Sequence, residues 1–167
     1  IGVTKAGECG LNVTVDDIKK NSRVTDVMWG KEKVCNYDSP AIVSENDSLF
    51  TILNSFSRNQ NLNYAVKNHE GKLVGVISLE HLKEVMQIGD FAESMLAMDI
   101  MDPVNVTVKP STTLPDAYQL FEENDIDAMP IVDTDGDTLG ILEKSTVDHY
   151  LHTRIIELNR KLDELDN

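Results

Sequence analysis

The sequence predicts a mixed α/β (α+β) fold made of two copies of a β-α-β-β-α unit. One observation is a repeat: Leu49, Phe56, Gly71 and Gly75 recur 65 positions later as Leu114, Phe121, Gly136 and Gly140. A second is that apolar spacing around each set passes in the same order from helical threes and fours to the short runs of a hairpin. A third is composition: 41% of the 167 residues are hydrophobic but only 5% are aromatic, so the core is aliphatic.

The stretch to Asn21 holds one helical turn, Val15–Lys20, behind Thr or Asp capping candidates. It reads as a connector, 1–21, from an upstream region. Asp26-Val27-Met28 then introduces the first copy, and Asp99-Ile100-Met101 introduces the second, 73 positions on. Because 73 exceeds the 65 of the other anchors by eight, the first copy carries about eight extra residues, assigned to a Trp29–Asp38 loop.

Short strands follow at Ala41-Ile42-Val43 and Val106-Thr107-Val108. Helices come next, from Ser48 to about Arg58 and from Thr113 to about Asn124. Leu49, Ile52, Leu53 and Phe56 share one face, as do Leu114, Ala117, Leu120 and Phe121. Ser48 and Thr113 suit N-caps, because a hydroxyl there accepts a free N–H of the first turn. Pro110 suits a loop and Pro115 a first turn.

Each helix leads into a hairpin. Tyr64-Ala65-Val66 and Leu73-Val74-Gly75-Val76-Ile77 flank the turn Asn68-His69-Glu70-Gly71; Met129-Pro130-Ile131-Val132 and Leu139-Gly140-Ile141-Leu142 flank Asp133-Thr134-Asp135-Gly136-Asp137. A second helix closes each copy, Leu79–Met86 and Lys144 onward. The copies span 22–87 and 88–151, with a helical extension over 152–167. A unit of roughly 60 residues buries too little surface alone, so the copies are expected to pack through their sheets.

Charge excludes some functions. The net charge of −14, from 29 acidic and 15 basic residues, repels nucleic-acid phosphates and anionic lipid headgroups. No apolar run approaches the roughly 20 residues that span a bilayer. The opening Ile1-Gly2-Val3-Thr4-Lys5 has no secretory pattern and no initiator Met, which suggests a fragment of a cytoplasmic region. The N-x-[ST] triplets at Asn12, Asn46 and Asn105 carry little meaning without a secretory route.

Chemistry-bearing constellations are sparse. Cys9 and Cys35 are isolated and match no zinc or redox spacing. Asp133-x-Asp135-Gly136-Asp137 with Glu143 beyond resembles a calcium loop, but Gly136 stands fourth and Glu143 eleventh where sixth and twelfth are required. A tight hairpin turn is the better reading. His149 and His152 lie three apart on a helix with no third ligand, while His69 and His81 are scattered, so no metal site is expected. No catalytic constellation is evident, and an enzyme is not expected.

The D-h-M lead-in of both copies, h-P-h-V-D at Met129–Asp133 and L-h-G-h-h at Leu73–Ile77, set in an element order that repeats twice, resemble the cystathionine-beta-synthase (CBS) domain family over about Val24–Tyr150. The resemblance implies a tandem CBS pair: a non-catalytic regulatory module, often attached to a channel, transporter or enzyme. It also implies clefts between the copies that take adenosine-containing ligands such as AMP, ADP or ATP. The family's G-h-h-[ST]-x-x-D stretch sets a hydroxyl near phosphate and a carboxylate on the ribose diol.

In the first copy this stretch is Gly75-Val76-Ile77-Ser78-Leu79-Glu80-His81, with His81 in place of Asp. In the second it is Gly140-Ile141-Leu142-Glu143-Lys144-Ser145-Thr146, with Glu143 replacing the hydroxyl and Thr146 the Asp. Candidate ligand residues are therefore Ser78, His81, Glu143 and Thr146, with Tyr64, Ala128 and Met129 at the hairpin entrances. Glu143 is expected to set a negative charge beside any phosphate. Both copies depart from the signature, so the pair reads either as a ligand sensor or as a dimerisation scaffold. The resemblance places it as the cytosolic domain of an ion channel or transporter, such as a chloride channel or cation/proton antiporter, or as the regulatory part of a metabolic enzyme.

Val147, Leu151, Ile155, Leu158, Leu162 and Leu165 trace an approximate heptad seam on the last helix. Such a seam either packs back on its own domain or pairs with a second copy in a homodimer.

Overall fold

A computed structural model describes residues 2–3, 11–29, 41–58 and 60–166. The expected Trp29–Asp38 loop, Cys9 and Cys35 lie outside the described residues, apart from the backbone of Trp29. Strand β1 (Gly2–Val3) pairs antiparallel with β2 (Leu11–Asn12). Helices α1 (Val15–Asn21) and α2 (Val24–Trp29) precede the first repeat: β3 (Ile42–Ser44), α3 (Leu49–Arg58), β4 (Asn63–Lys67), β5 (Leu73–Ser78) and α4 (Leu79–Met86). A 3-10 turn, Asp90–Ser94, and α5 (Ala97–Ile100) lead to α6 (Leu114–Asn124), β6 (Ala128–Val132), β7 (Thr138–Glu143) and α7 (Lys144–Leu165).

Local chemistry explains most of these elements. Ser48 Oγ accepts the Thr51 N–H at 3.2 Å and Thr113 Oγ1 accepts that of Asp116, so both expected caps form. Thr14 caps α1, its hydroxyl accepting the Asp17 N–H while the Asp17 carboxylate accepts the Thr14 N–H. The hairpin turns are built alike. Asn68 Oδ1 accepts the N–H groups of Glu70 and Lys72, and Asp133 Oδ1 accepts those of Asp135 and Asp137. Gly71 and Gly136 supply the left-handed residue in each turn, with φ of 80° and 90°. Asp133 is therefore a turn-forming residue, as the hairpin reading requires.

The D-h-M elements sit in short helices, Asp26–Met28 within α2 and Asp99–Ile100 at the end of α5. Asp26 and Asp99 each fold a carboxylate back onto a main-chain N–H three residues earlier, of Arg23 at 2.7 Å and Leu96 at 2.9 Å. Val27, Met28 and Ile100 are buried behind them. What sequence periodicity does not reveal is which core they enter. Ile18, Val24, Val27 and Met28 pack with Leu114, Phe121, Met129 and Leu142 of the second repeat. Ala92, Ala97 and Ile100 pack with Ile52, Phe56, Tyr64 and Leu82 of the first. Each lead-in thus completes the core of the other repeat.

Matched main-chain bonds fix the exchange. Val24 donates to Thr112 O and Leu114 to Ser22 O; in mirrored fashion Ala97 donates to Asp47 O and Leu49 to Met95 O. Two further tie points join the repeats. Val76 and Asp102 exchange N–H···O bonds, both 2.9 Å, and β4 lies against β7, with Ile141 of the second repeat in the first repeat's core.

The first repeat has the sheet order β3-β4-β5, parallel then antiparallel, whereas the second has only the β6-β7 hairpin. The strand expected at Val106-Thr107-Val108 is reduced to one bridge, in which Val108 donates to Pro130 O and accepts from Val132 N–H. Pro103 and Pro110 bracket this segment and lack N–H groups for a ladder, and only Val108 of the three is buried.

Helix α7 resolves the two readings of its seam in part. Val147 and Leu151 are buried, and Ile155 and Leu158 pack on the second core beside α1. Leu165, at 82% exposure, faces solvent. The first half of the seam is intramolecular.

Candidate functional site: the cleft between the repeats

A groove of about 1040 Å³ opens between the two hairpin-helix junctions. Its walls come from corresponding positions of the repeats, 65 apart: Leu62 and Asp127, Asn63 and Ala128, Ser78 and Glu143, Leu79 and Lys144, Glu80 and Ser145, Lys83 and Asp148. The lead-in of the second repeat, Asp102 to Val106, closes one side. The apolar part of the surface includes Val76, Val104, Val106, Ile126 and Pro130. The groove mixes this apolar surface with charged side chains, and its volume is ample for a ligand as large as a nucleoside.

The junctions are held by a repeated bond. The N–H of Leu79 donates to Leu62 O and that of Lys144 to Asp127 O, so each second helix starts against the strand entrance of its own repeat. At Ser78 the hydroxyl accepts the His81 N–H at 3.1 Å and caps α4. Its counterpart Glu143 behaves differently. Glu143 does not cap α7 but reaches into the first repeat, where Oε1 accepts the N–H groups of Leu62 at 2.8 Å and Asn63 at 3.3 Å. Only 4% exposed, it has its carboxyl pKa raised by burial, an effect the two N–H groups oppose.

A second polar contact reaches the groove from behind. Asp148, one turn into α7, accepts a hydrogen bond from the hydroxyl of Tyr118 on α6, and Lys19 of α1 sits 3.9 Å above the Tyr118 ring. Burial, followed by the Asp148 hydrogen bond and charge, pushes the Tyr118 phenol well above its ordinary value.

Of the residues expected from sequence, Ser78, Ala128 and Glu143 line this groove, and four do not. Tyr64 is in the first core, its hydroxyl donating to Ser55 O and its ring edge-on to Phe56 at 4.5 Å. Met129 is in the second core. His81, on α4, has Nδ1 3.5 Å from Glu84 Oε2, and Thr146 is half-buried on α7. Glu143 is near the expected position, but its carboxyl is anchored in the wall by two N–H groups rather than projecting alone.

Sequence reasoning missed Lys83, Asp102, Lys144 and Asp148. A signal for two of them was present: Lys83 and Asp148 occupy the same repeat position, two residues beyond the signature stretch. Residues 30–40 of the first repeat lie outside the described residues. Among the described residues no three His, Cys, Asp or Glu side chains converge for a metal ion, and no helix is long and apolar enough to cross a membrane.

Comparison with known proteins places this geometry in a family. The sequence profile of the CBS domain matches residues 31–88 and again 97–153. An uncharacterized protein of Methanocaldococcus jannaschii is 27% identical, over 63% of this chain and 82% of that protein. The crystal structure of CBSX2 in complex with AMP shares the fold at a TM-score of 0.59 and 25% identity, covering 79% of this chain and 98% of the other. The CBS domain of a bacterial CNNM/CorC family Mg2+ transporter is similar in fold, with TM-score 0.66 and 14% identity, covering 82% and 79%. Two lead-in helices exchanged between two matched repeats, with a groove at their junction, make this chain a CBS domain pair, a regulatory module of the CBS family.

Proposed function

We propose that this pair is a non-catalytic sensor of an adenosine-containing ligand, bound in the groove between the repeats, and that it is the cytosolic part of a channel or transporter. The observation that carries the reading is the groove itself, large enough to admit a nucleoside and walled by both repeats. AMP in complex with CBSX2, at 25% identity, supports the ligand class. The fold shared with the CBS domain of a Mg2+ transporter fits the host, which the sequence resemblance also favours.

The working principle is a population shift. A ligand touching both repeats favours one packing of them, in proportion to its differential affinity. Asp102 to Val106 line the groove and lead back through Asp102 to Val76 and α5, so a change there reaches both cores. A homodimer would transmit that change to the attached domain, the exposed end of α7 supplying part of the contact.

A second reading has its own observation. Glu143 stands in the groove where the family signature has a hydroxyl, and neither His81 nor Thr146 lines it. A pair that binds no small molecule and only dimerises would need no intact signature. Calorimetry of the whole chain with adenosine, S-adenosylmethionine, AMP, ADP and ATP separates the two. Saturable heat with at least one compound is expected; silence across the panel at millimolar ligand supports the scaffold instead.

A further inference from the structure

We infer that the groove selects adenosine compounds of zero or positive net charge over phosphorylated ones, and that Glu143 is a specificity-determining residue. This rests on the adenosine reading above and goes beyond it by fixing the ligand's charge.

The groove carries five carboxylates: Glu80, Asp102, Asp127, Glu143 and Asp148. Against them stand Lys83 and Lys144. With Glu143 counted as neutral, four carboxylates still face two ammonium groups. One feature favours an anion, since the first turn of α7 has no side-chain cap and presents N–H groups at the groove edge. Its field, equivalent to about half a charge at the helix end, does not offset the carboxylate excess.

Geometry makes Glu143 the decisive member. In the first repeat Ser78 accepts the His81 N–H and brings no charge to this position. The equivalent Glu143 brings a carboxyl, and the N–H bonds of Leu62 and Asn63 hold it there. Those two N–H groups, which could otherwise receive a phosphate oxygen, are already taken. At 4% exposure Glu143 cannot swing into solvent without breaking both bonds. A phosphate in the groove therefore meets a fixed carboxyl and a surplus of negative charge in a partly desolvated site. A sulfonium or ammonium meets the opposite.

The test is equilibrium binding at low salt of adenosine, S-adenosylmethionine, S-adenosylhomocysteine and AMP to the whole chain. Adenosine and S-adenosylmethionine should bind about tenfold or more tighter than AMP, and S-adenosylmethionine tighter than its uncharged-sulfur analogue, with both gaps narrowing as salt rises. Glu143→Gln, which keeps an oxygen for Leu62, should shrink the adenosine-to-AMP gap several-fold; Glu143→Ser, which copies Ser78, should do the same. AMP binding as tightly as adenosine overturns the inference while leaving the adenosine reading intact. An unchanged gap in both variants overturns the role of Glu143. No binding by any of the four overturns the adenosine reading and this inference with it.

Discussion

Glu143 Oε1 accepts the backbone N–H of Leu62 at 2.8 Å, joining residues 81 positions apart in sequence and belonging to different repeats. The Asn63 N–H shares the same oxygen at 3.3 Å. One side chain at the head of α7 thereby ties the second repeat to the strand entrance of the first. Truncating it leaves two N–H groups without a partner in a half-buried wall. Glu143→Ala is expected to lower stability by about 1–3 kcal/mol, and Glu143→Gln by less, because the amide oxygen still accepts. Urea unfolding of the two variants checks the order.

The same carboxyl predicts a pH dependence. Burial raises its pKa above the ordinary value of 4.5, so the folded state binds the proton more tightly than the unfolded chain. Stability from this group is complete below the unfolded pKa and is lost as pH rises through the folded one. The stability of the native protein relative to Glu143→Gln should therefore rise as pH falls from neutrality toward about 4.5. Denaturant titrations of both proteins at matched pH values measure it; a difference that falls on acidification contradicts the burial argument.

Gly75 predicts a packing defect. A Cβ built there falls 2.6 Å from Met101 Sδ, 2.7 Å from its Cγ and 2.8 Å from its Cβ. Gly75→Ala should cost about 1–3 kcal/mol, because β5 or the Val76–Asp102 tie has to move. Met101→Ala in the same background removes two of the three clashes and should recover part of the loss. A double-mutant cycle reads this as favourable coupling, and strict additivity would contradict the contact.

Sequence periodicity located helices and hairpins well, because each repeat's local chemistry decides them: Ser48 and Thr113 cap, and Asn68 and Asp133 fold their own turns. The exchange of lead-ins was not legible. Val27 and Ile100 are visibly apolar in the sequence, but an apolar residue does not name the core it enters, and contiguous repeats suggest contiguous cores. The site was half legible for the same reason. Ser78 and Glu143 follow from the signature stretch and Ala128 from the hairpin entrance, whereas Asp102 reaches the groove through tertiary placement. Tyr64 and Met129 looked accessible as strand entrances, yet the pleat turns both inward.

The last helix separates folding from association. A chain ending at Tyr150 loses Leu151, Ile155 and Leu158, which pack on the second core, so it should be strongly destabilised rather than merely monomeric. A chain ending at Asn159 loses only the outer seam, including Leu162 and Leu165, and should keep cooperative unfolding within about 1 kcal/mol of the parent. Thermal unfolding with solution mass on both chains distinguishes these effects. A fall in mass for the longer one alone assigns the outer seam to pairing.

Tyr118 offers a check on the wall behind the groove. Tyr118→Phe removes the hydrogen bond to Asp148 and is expected to cost about 0.5–1.5 kcal/mol while leaving the fold intact. Denaturant unfolding measures the cost, and a change in the far-ultraviolet spectrum would contradict the second expectation.

We propose that this CBS pair meets its ligand in the groove shared by the repeats. Hydrogen exchange of the whole chain with and without saturating adenosine tests it most directly. Slowed exchange is predicted in the segments 102–106, 126–130 and 143–148, with the Leu62 and Asn63 amides also protected. Protection confined to segments remote from the groove, such as 48–58, or none at all, would contradict the claim.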